Sequence, residues 1–592
     1  MFVQFKGSGK KQLAYVAKSY RTSKGGKTST DIVEKLGYLE DIAAAHPGVD
    51  PKEWAKQRAR ELTILEKSQS APVKIELNPA LSIRRGRRKM KGGMLPLIPL
   101  LHGWAGVGGI CKEITARSNF KFNLTDIVSM LVYGRILCPD SKLSTLRKSE
   151  SFIATPGVDL KDVYLSLGVL ARESDFIQQQ IYRNTVAGEP RNTGVIYYDC
   201  SNYYFEIEQD DKDSIDENGN VNLGLRKYGH SKENRPNPIV QLGLFMDADG
   251  MPLSFCINPG NTAENQTLQP LEEKLADNFG LSDFVCCTDG GLGSRSNRKY
   301  NTTEGRNYIT VQSLKDKKCD PHIQEWALSD GNWTVPGYPG EYTLSEASEL
   351  LGERFEETTL YKERYDIVGK GAEQMEEHFI VTYSEKYARY QRVTRAGQVE
   401  RARKKLARGE VKKAKSPNDC MRFVSTLHTT DNGDVAGNRM SSIDQSKIDD
   451  EARFDGLYAL ATSLEDTPAA ILRANHFRYE IEALFRIAKT DLELRPIYLQ
   501  RKDRIIGHFI ICFMALLIIK RLQKMLGKYS VEQILQQLRS MDYLLLEAHG
   551  YIPDFDRTDM TDELQTLTNQ KLDAQIITKP AMRAILRALQ QS

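Results

Sequence analysis

Apolar positions along the chain change period several times, and each change marks a change of element type. Over 1–45 two apolar runs flank Lys24-Gly25-Gly26-Lys27, which predicts a hairpin, and a helix follows over about 50–67. From 94 to 190 the apolar spacing is helical. Asn123-Leu124-Thr125-Asp126 offers a cap before IVSMLVYGRIL, and Pro139-Asp140-Ser141-Lys142 ends that helix and opens the next. The pattern then turns to strand: VIYYDCSNYYFEI (195–207), two runs joined by Asp247-Ala248-Asp249-Gly250 (239–261), and FVCCTDGGL (284–292). A helical stretch, AENQTLQPLEEKLADNFG, separates the second and third of these segments. Strands with a crossover helix predict an α/β layer with a mixed sheet. YALATS at Tyr458 reads as a further strand, Pro468 to Lys489 as a helix, and 490–592 as helical.

The stretch 300–450 is different in character. It carries Trp326 and Trp333, short strand-like runs, and a strongly basic helix over about 386–415. That helix reads either as a solvated surface helix or as a contact for a DNA backbone. A second basic cluster, Arg84, Arg85, Arg87, Arg88, Lys89 and Lys91, reads as a solvated linker or as a phosphate-contacting arm.

Composition narrows the field. The 592 residues carry 82 Lys and Arg against 78 Asp and Glu, a net charge of only +4, so nucleic-acid binding must be argued from local clusters. Nine scattered cysteines without CxxC spacing point to neither a disulfide framework nor a zinc site. The most apolar run, Ile505–Ile519, contains His508 and is short for a membrane span; it is expected as a buried helix, with no membrane partner. The N-terminus lacks the pattern of a signal peptide, so a cytoplasmic protein is expected.

Two aspartates stand where apolar strands meet polar sequence: Asp199 in VIYYD, and Asp289 ahead of Gly290-Gly291. Each alone reads as a strand-end or turn residue. As a pair they form a hard-oxygen site suited to Mg²⁺ or Mn²⁺. Arg478, Glu482 and Lys489 fall on nearly one face of a regular helix, as a salt-bridge ladder or as a third acid between two cations. No histidine stands near Ser201 in sequence, which argues against a serine nucleophile.

Asn475-x2-Arg478-x3-Glu482-x6-Lys489 resembles the Tyr-Arg-Glu-Lys signature of the IS4-type DDE transposases, with Asn475 in place of the tyrosine. DCSNYYFE (199–206), TDGGL (288–292), IEALFRIAKTDLELRPIY (481–498) and the segment from Lys227 to Leu268 resemble the corresponding words of the IS1634 branch of insertion-sequence transposases. The resemblance implies a ribonuclease-H-like catalytic core with a mixed sheet, interrupted by an inserted, mainly β subdomain, plus N-terminal and C-terminal helical parts. On that reading 1–93 is an N-terminal domain for DNA-end binding with a basic linker, and 94–190 is helical. The core's first part with both aspartates is 191–299, and the inserted subdomain is 300–452. The core's second part, with the glutamate helix, is 453–525, and 526–592 is a helical C-terminal region.

The resemblance also implies chemistry. Asp199, Asp289 and Glu482 would hold two Mg²⁺ or Mn²⁺ ions for phosphodiester hydrolysis and transesterification. Arg478 and Lys489 would hold phosphate oxygens, with Arg84, Arg85, Arg87, Arg88 and Lys89 as further phosphate contacts. Trp326 or Trp333 would stack a flipped base, the alternative being core or turn tryptophans. The expected partners are double-stranded DNA, as transposon ends and target, and a second copy of the chain in a homodimeric synaptic complex. The expected function is cleavage and strand transfer at terminal inverted repeats, by cut-and-paste through a hairpin, in a bacterial-type cytoplasm at the nucleoid. The alternatives are a DNA-binding protein on the same scaffold that no longer cuts, and a metal-dependent nuclease without strand transfer.

Overall fold

The computed structural model describes the chain except residues 8–11, 22–27, 47–48, 71–72, 76–78, 81, 83–84, 155–156, 216, 218, 220, 304, 317–318, 372–373, 415–417, 429–438 and 592. The expected Lys-Gly-Gly-Lys turn thus lies outside the described residues. The chain forms two compact units, Leu167–Leu517, and Met1–Ser166 together with Ile518–Ser592.

The first of these is built on one mixed sheet. Its strands are β1 (Val195–Tyr204), β2 (Ile239–Asp247), β3 (Pro252–Pro259), β4 (Val285–Thr288), β5 (Asn307–Gln312), β6 (Trp333–Thr334), β7 (Glu341–Tyr342), β8 (Leu360–Val368), β9 (Met375–Tyr383) and β10 (Leu457–Thr462). The spatial order is β7-β6-β8-β9-β10-β5-β4-β1-β2-β3. Here β2 runs antiparallel to β1 and β3 antiparallel to β2, while β4 is parallel to β1 and β5 parallel to β4. The crossover helix α1 (Leu268–Phe279) sits between β3 and β4 in sequence. Its Leu268, Leu271 and Leu275 pack with Ile196, Tyr198, Cys200 and Cys286 on one face of the sheet. Period-two alternation along β1 therefore sends Tyr198 and Cys200 into that core and Tyr197 and Asp199 to the opposite face.

Most strands of the inserted stretch join the core sheet; among the described residues only Val424–His428 and Arg439–Ile443 form a pair apart from it. β5 is paired directly to β4, and β6 to β9 continue the same sheet beyond β10. The small Ala459 and Ala461 of β10 are buried with Trp333, Leu360, Phe379 and Val381 in one apolar cluster, which joins insert to core. The basic helix is observed as α2 (Glu385–Ala407), buried only through a stripe that includes Ala388, Arg395, Val399 and Ala402.

The expected single helix over Pro468–Lys489 is broken. It is α3 (Pro468–His476), then α4 (Tyr479–Arg486), then a π-helical turn over Ile487–Asp491. The apolar run forms α5 (Lys502–Leu526), long and apolar enough to cross a membrane by length and composition alone, with most of its apolar stretch buried within the protein.

In the other unit, Phe2–Lys6, Leu13–Arg21 and Thr28–Tyr38 make an antiparallel sheet, and Pro51–Ser70 is the expected helix. Asn123 caps Leu124–Leu137 by accepting from the Asp126 N–H, as its sequence indicates. The C-terminal region is not all helical. Asp542–Leu546, Gly550–Asp554 and Ile577–Thr578 are strands, and Lys89–Lys91 pairs with the first of them. The helical reading of 526–592 fails because such short strands gain their hydrogen bonds from Lys89–Lys91, more than 400 residues away, and carry little local signal.

Candidate active site

In the parallel pairing of β1 and β4, Cys287 lies opposite Tyr197. Carried two residues further, that register sets Asp289 opposite Asp199, on the sheet face away from α1. β4 ends at Thr288, and the chain turns away through Gly290 and Gly293. Both glycines are there for close approach: a Cβ on Gly290 would meet the Val311 carbonyl oxygen at 3.0 Å, and one on Gly293 would meet Thr310 Oγ1 at 2.2 Å. The Thr310 hydroxyl donates to the Asp289 carbonyl at 3.1 Å and fixes the turn.

The two carboxylates are held differently. The Cys200 N–H donates to Asp199 Oδ1 at 2.7 Å, and the Leu292 N–H to Asp289 Oδ1 at 3.0 Å. Burial pushes Asp199 up to about 6; Lys232 opposes that shift, and the charges of Asp289 and Glu264 add to it. Two acids side by side, of which one is driven toward its neutral form, is the electrostatic condition that a bound divalent cation relieves. The donor set, carboxylate oxygens only, fits Mg²⁺ or Mn²⁺.

Helices α3 and α4 serve the same face. The Tyr197 hydroxyl donates to the Ala474 carbonyl at 2.9 Å and ties β1 to α3. Asn475, where the resembling signature has tyrosine, is buried, and its Nδ2 donates to the Tyr458 hydroxyl at 3.0 Å. Arg478 is mostly buried at the break between the two helices, with 20% of its side chain exposed, and its Nε is buried without a hydrogen-bond partner. Glu482 is 62% exposed and lies 3.5 Å from Arg478. Lys489, on the π-helical turn, is half-buried, with its ammonium 5.5 Å from the centre of the Tyr203 ring. Burial lowers its pKa, Lys232 adds to the shift, and Asp199 opposes it.

The single helix face expected for Arg478, Glu482 and Lys489 is thus not formed. The break before α4 and the wider π turn after it rotate Lys489 toward Asp199 and leave Glu482 facing solvent. The structure brings Asp199, Asp289 and Lys489 together and leaves Glu482 outside that group. Among the described residues no three His, Cys, Asp or Glu side chains converge as a metal-holding set.

Two residues at the site carried no role in the sequence reading. Lys232 donates to the Cys200 carbonyl at 2.7 Å and pairs with Glu264 at 2.9 Å, placing both beside Asp199. The only available signal was their place within the Lys227–Leu268 segment; the fold alone brings them to β1.

Each of the remaining expected residues is placed within its own unit. Trp333 is 1% exposed, inside the core of the insert, with no face open to a base. Trp326 is half-buried against the same cluster, and the Lys362 ammonium lies over both rings, at 5.4 and 4.5 Å. In the other unit, Arg84 lies outside the described residues, and Arg85 and Arg88 are exposed. Arg87 pairs with Glu150 at 2.5 Å, and Lys89 lies 3.0 Å from Asp542 and 3.3 Å from Asp554. Both side chains remain largely exposed in these pairs.

No family model and no curated protein matches this sequence. Among solved structures the chain is similar to a piggyBac transposase synaptic complex with hairpin DNA, at 8% identity over 76% of this chain and 78% of that one, with a TM-score of 0.32. It is also similar to a Mos1 transposase paired-end complex with the left transposon end, at 12% identity over 32% of this chain and 59% of that one, with a TM-score of 0.13. Superpositions this loose add nothing to the argument from the site itself.

Proposed function

We propose that this chain is a DNA transposase of the DDE type that cuts and rejoins DNA at the terminal inverted repeats of an insertion sequence of the IS4 class, IS1634 branch. The observation that carries the reading is the placement of Asp199 on β1 and Asp289 just past the end of the adjacent parallel strand β4, with the Lys489 ammonium over Tyr203 of the same strand as Asp199. The strand order β3-β2-β1-β4-β5, with the glutamate supplied by a later helix, supports a ribonuclease-H-like core.

On this reading Asp199 and Asp289, with Glu482 brought to them, would hold two Mg²⁺ or Mn²⁺ ions, which would supply an activated nucleophile and a stabilised leaving oxygen. The chain's own residues do the rest. Lys489 offers a point charge to a phosphate oxygen, and Arg478 offers the N–H of its unpartnered Nε. To join the aspartates Glu482 would have to leave its 3.5 Å contact with Arg478. Joining two ends calls for a homodimer on double-stranded DNA, working in the cytoplasm at the nucleoid by cut-and-paste through a hairpin, with 1–93 in end recognition.

The exposure of Glu482 favours a second reading, a DNA-binding protein that does not cut. One experiment separates the two: cleavage of a labelled DNA carrying the element's own end, with Mg²⁺ or Mn²⁺, by wild type and Asp289→Ala. Nicking at the repeat boundary by wild type, with binding but no cutting by the variant, supports the transposase. Binding without cutting by both supports the second reading.

A further inference from the structure

The segment between β1 and β2 returns along the edge of the site and is pinned at several points. Lys227 and Ile239 exchange backbone hydrogen bonds at 3.1 and 2.9 Å. Asn202 Nδ2 donates to the His230 carbonyl at 2.7 Å. The Arg235 guanidinium stacks over Tyr204, 4.2 Å from the ring centre. Gly229 passes so close to Gly260 that a Cβ there would meet its carbonyl oxygen at 1.9 Å.

This bracing presents one residue to the aspartates. The Lys232 side chain is 40% exposed, so its ammonium is reachable from solvent while it bonds to the Cys200 carbonyl and to Glu264. An ammonium has three N–H donors, and these two acceptors take two of them. The Lys232 ammonium is held at the carbonyl of Cys200, the residue after Asp199, and the Lys489 ammonium lies over Tyr203 of the same strand, so two cations from different segments meet β1 close to Asp199. Two lysines near one acid repel each other, an arrangement that a phosphate between them relieves.

We propose that Lys232 is a DNA-phosphate-binding residue of this site, holding a backbone phosphate next to the one at Asp199 and Asp289, and that Glu264 holds its ammonium in place until DNA arrives. The inference rests on the proposed function, since it needs DNA at the aspartates. A competing role is purely structural: Lys232 as a staple between its segment and β1 through the Cys200 carbonyl.

Charge and donor can be separated. Lys232→Gln keeps an N–H donor for that carbonyl and removes the charge; Lys232→Arg keeps the charge. The measurement is affinity for a labelled duplex carrying the element's terminal repeat, as a function of salt, without divalent metal, alongside thermal melting. We expect Lys232→Gln to bind about tenfold more weakly. Its slope of log affinity against log salt should fall by about one. Lys232→Arg and Glu264→Gln should keep the wild-type slope, and all three should melt as wild type does. Wild-type affinity and slope for Lys232→Gln would overturn the proposal. So would equal losses for the Gln and Arg variants accompanied by lower melting temperatures, which would mark a staple. If wild-type protein shows no preference for the terminal repeat over a scrambled duplex, the transposase reading itself falls, and this inference with it.

Discussion

Cys287 stands opposite Tyr197 across two parallel strands, and two residues further along each chain come Asp289, in the turn just past the end of β4, and Asp199 within β1. Two half-buried acids on neighbouring segments repel each other, and a bound cation offsets that repulsion. Mg²⁺ or Mn²⁺ at a hundredfold excess over its Kd should stabilise the wild-type chain by about 2.7 kcal/mol. Asp289→Ala should lose most of that gain. Thermal melting with and without metal, and again after chelation, reads the difference directly.

Lys489 turns toward Asp199 from a π-helical turn whose neighbours Ile487 and Ala488 are buried. Replacing it with alanine removes a charge and leaves that packing intact. Lys489→Ala should melt within about 1 °C of wild type, since its folding energy comes from the apolar neighbours. Its cleavage rate at a DNA end should fall about 100-fold, the scale seen when one charge-stabilising donor is removed. Equal cleavage by the two proteins would take Lys489 out of the chemistry.

Glu272 of the crossover helix supplies a pH signature distant from the proposed metal ligands. It is fully buried and accepts from Asn301 Nδ2 at 2.9 Å. Burial raises its pKa from 4.5 to about 7, against the opposing hydrogen bonds of Cys286 and Asn301. The folded chain therefore binds this proton more tightly than the unfolded chain. Its contribution is complete below pH 4.5 and is lost as pH rises through about 7. The loss is on the order of 3 kcal/mol. Glu272→Gln should flatten that decline, seen as a smaller drop in urea midpoint between pH 5 and pH 8.

The two tryptophans of the insert should separate by burial. Trp333→Ala opens the core around Phe379 and Ala459 and should cost about 3–5 kcal/mol. Trp326→Ala, at a half-buried position, should cost less. If either ring stacks a flipped base, only Trp326→Ala should weaken binding to an end carrying an unpaired base while the protein stays folded; equal binding would leave both rings as core residues.

The basic cluster divides in the same way. Arg85→Gln combined with Arg88→Gln should reduce the salt slope of DNA binding by about two, because both side chains are exposed. Lys89→Gln should leave the slope unchanged and lower the melting temperature, since its ammonium lies between Asp542 and Asp554.

Much of the unit Leu167–Leu517 was legible from local pattern. The runs around Asp199, Asp247, Asp289 and Tyr458 are strands, and Leu268–Phe279 is the crossover helix, because alternation and amphipathic spacing are local properties. The helix bearing Glu482 was legible as helix but not as broken. Its π turn, with Ile487 and Ala488 buried, spans Ile487–Asp491 and carries Lys489. The strands after 540 were missed because their partner is Lys89–Lys91 at the other end of the chain.

The types of element, the acids at strand ends and the spacing of Arg478, Glu482 and Lys489 are written in the order of residues, since each depends on neighbours a few positions away. Which acids meet is not. Asp289 reaches Asp199 only because β4 inserts between β1 and β5 in parallel. Lys232 reaches the neighbourhood of Asp199 only because the β1–β2 segment folds back onto β1, and Glu264 only because the turn after β3 meets Lys232 there. Glu482 stays outside because a helix face is set by the turns beneath it. Those outcomes depend on pairings between residues far apart in sequence, and packing of the whole sheet selects them.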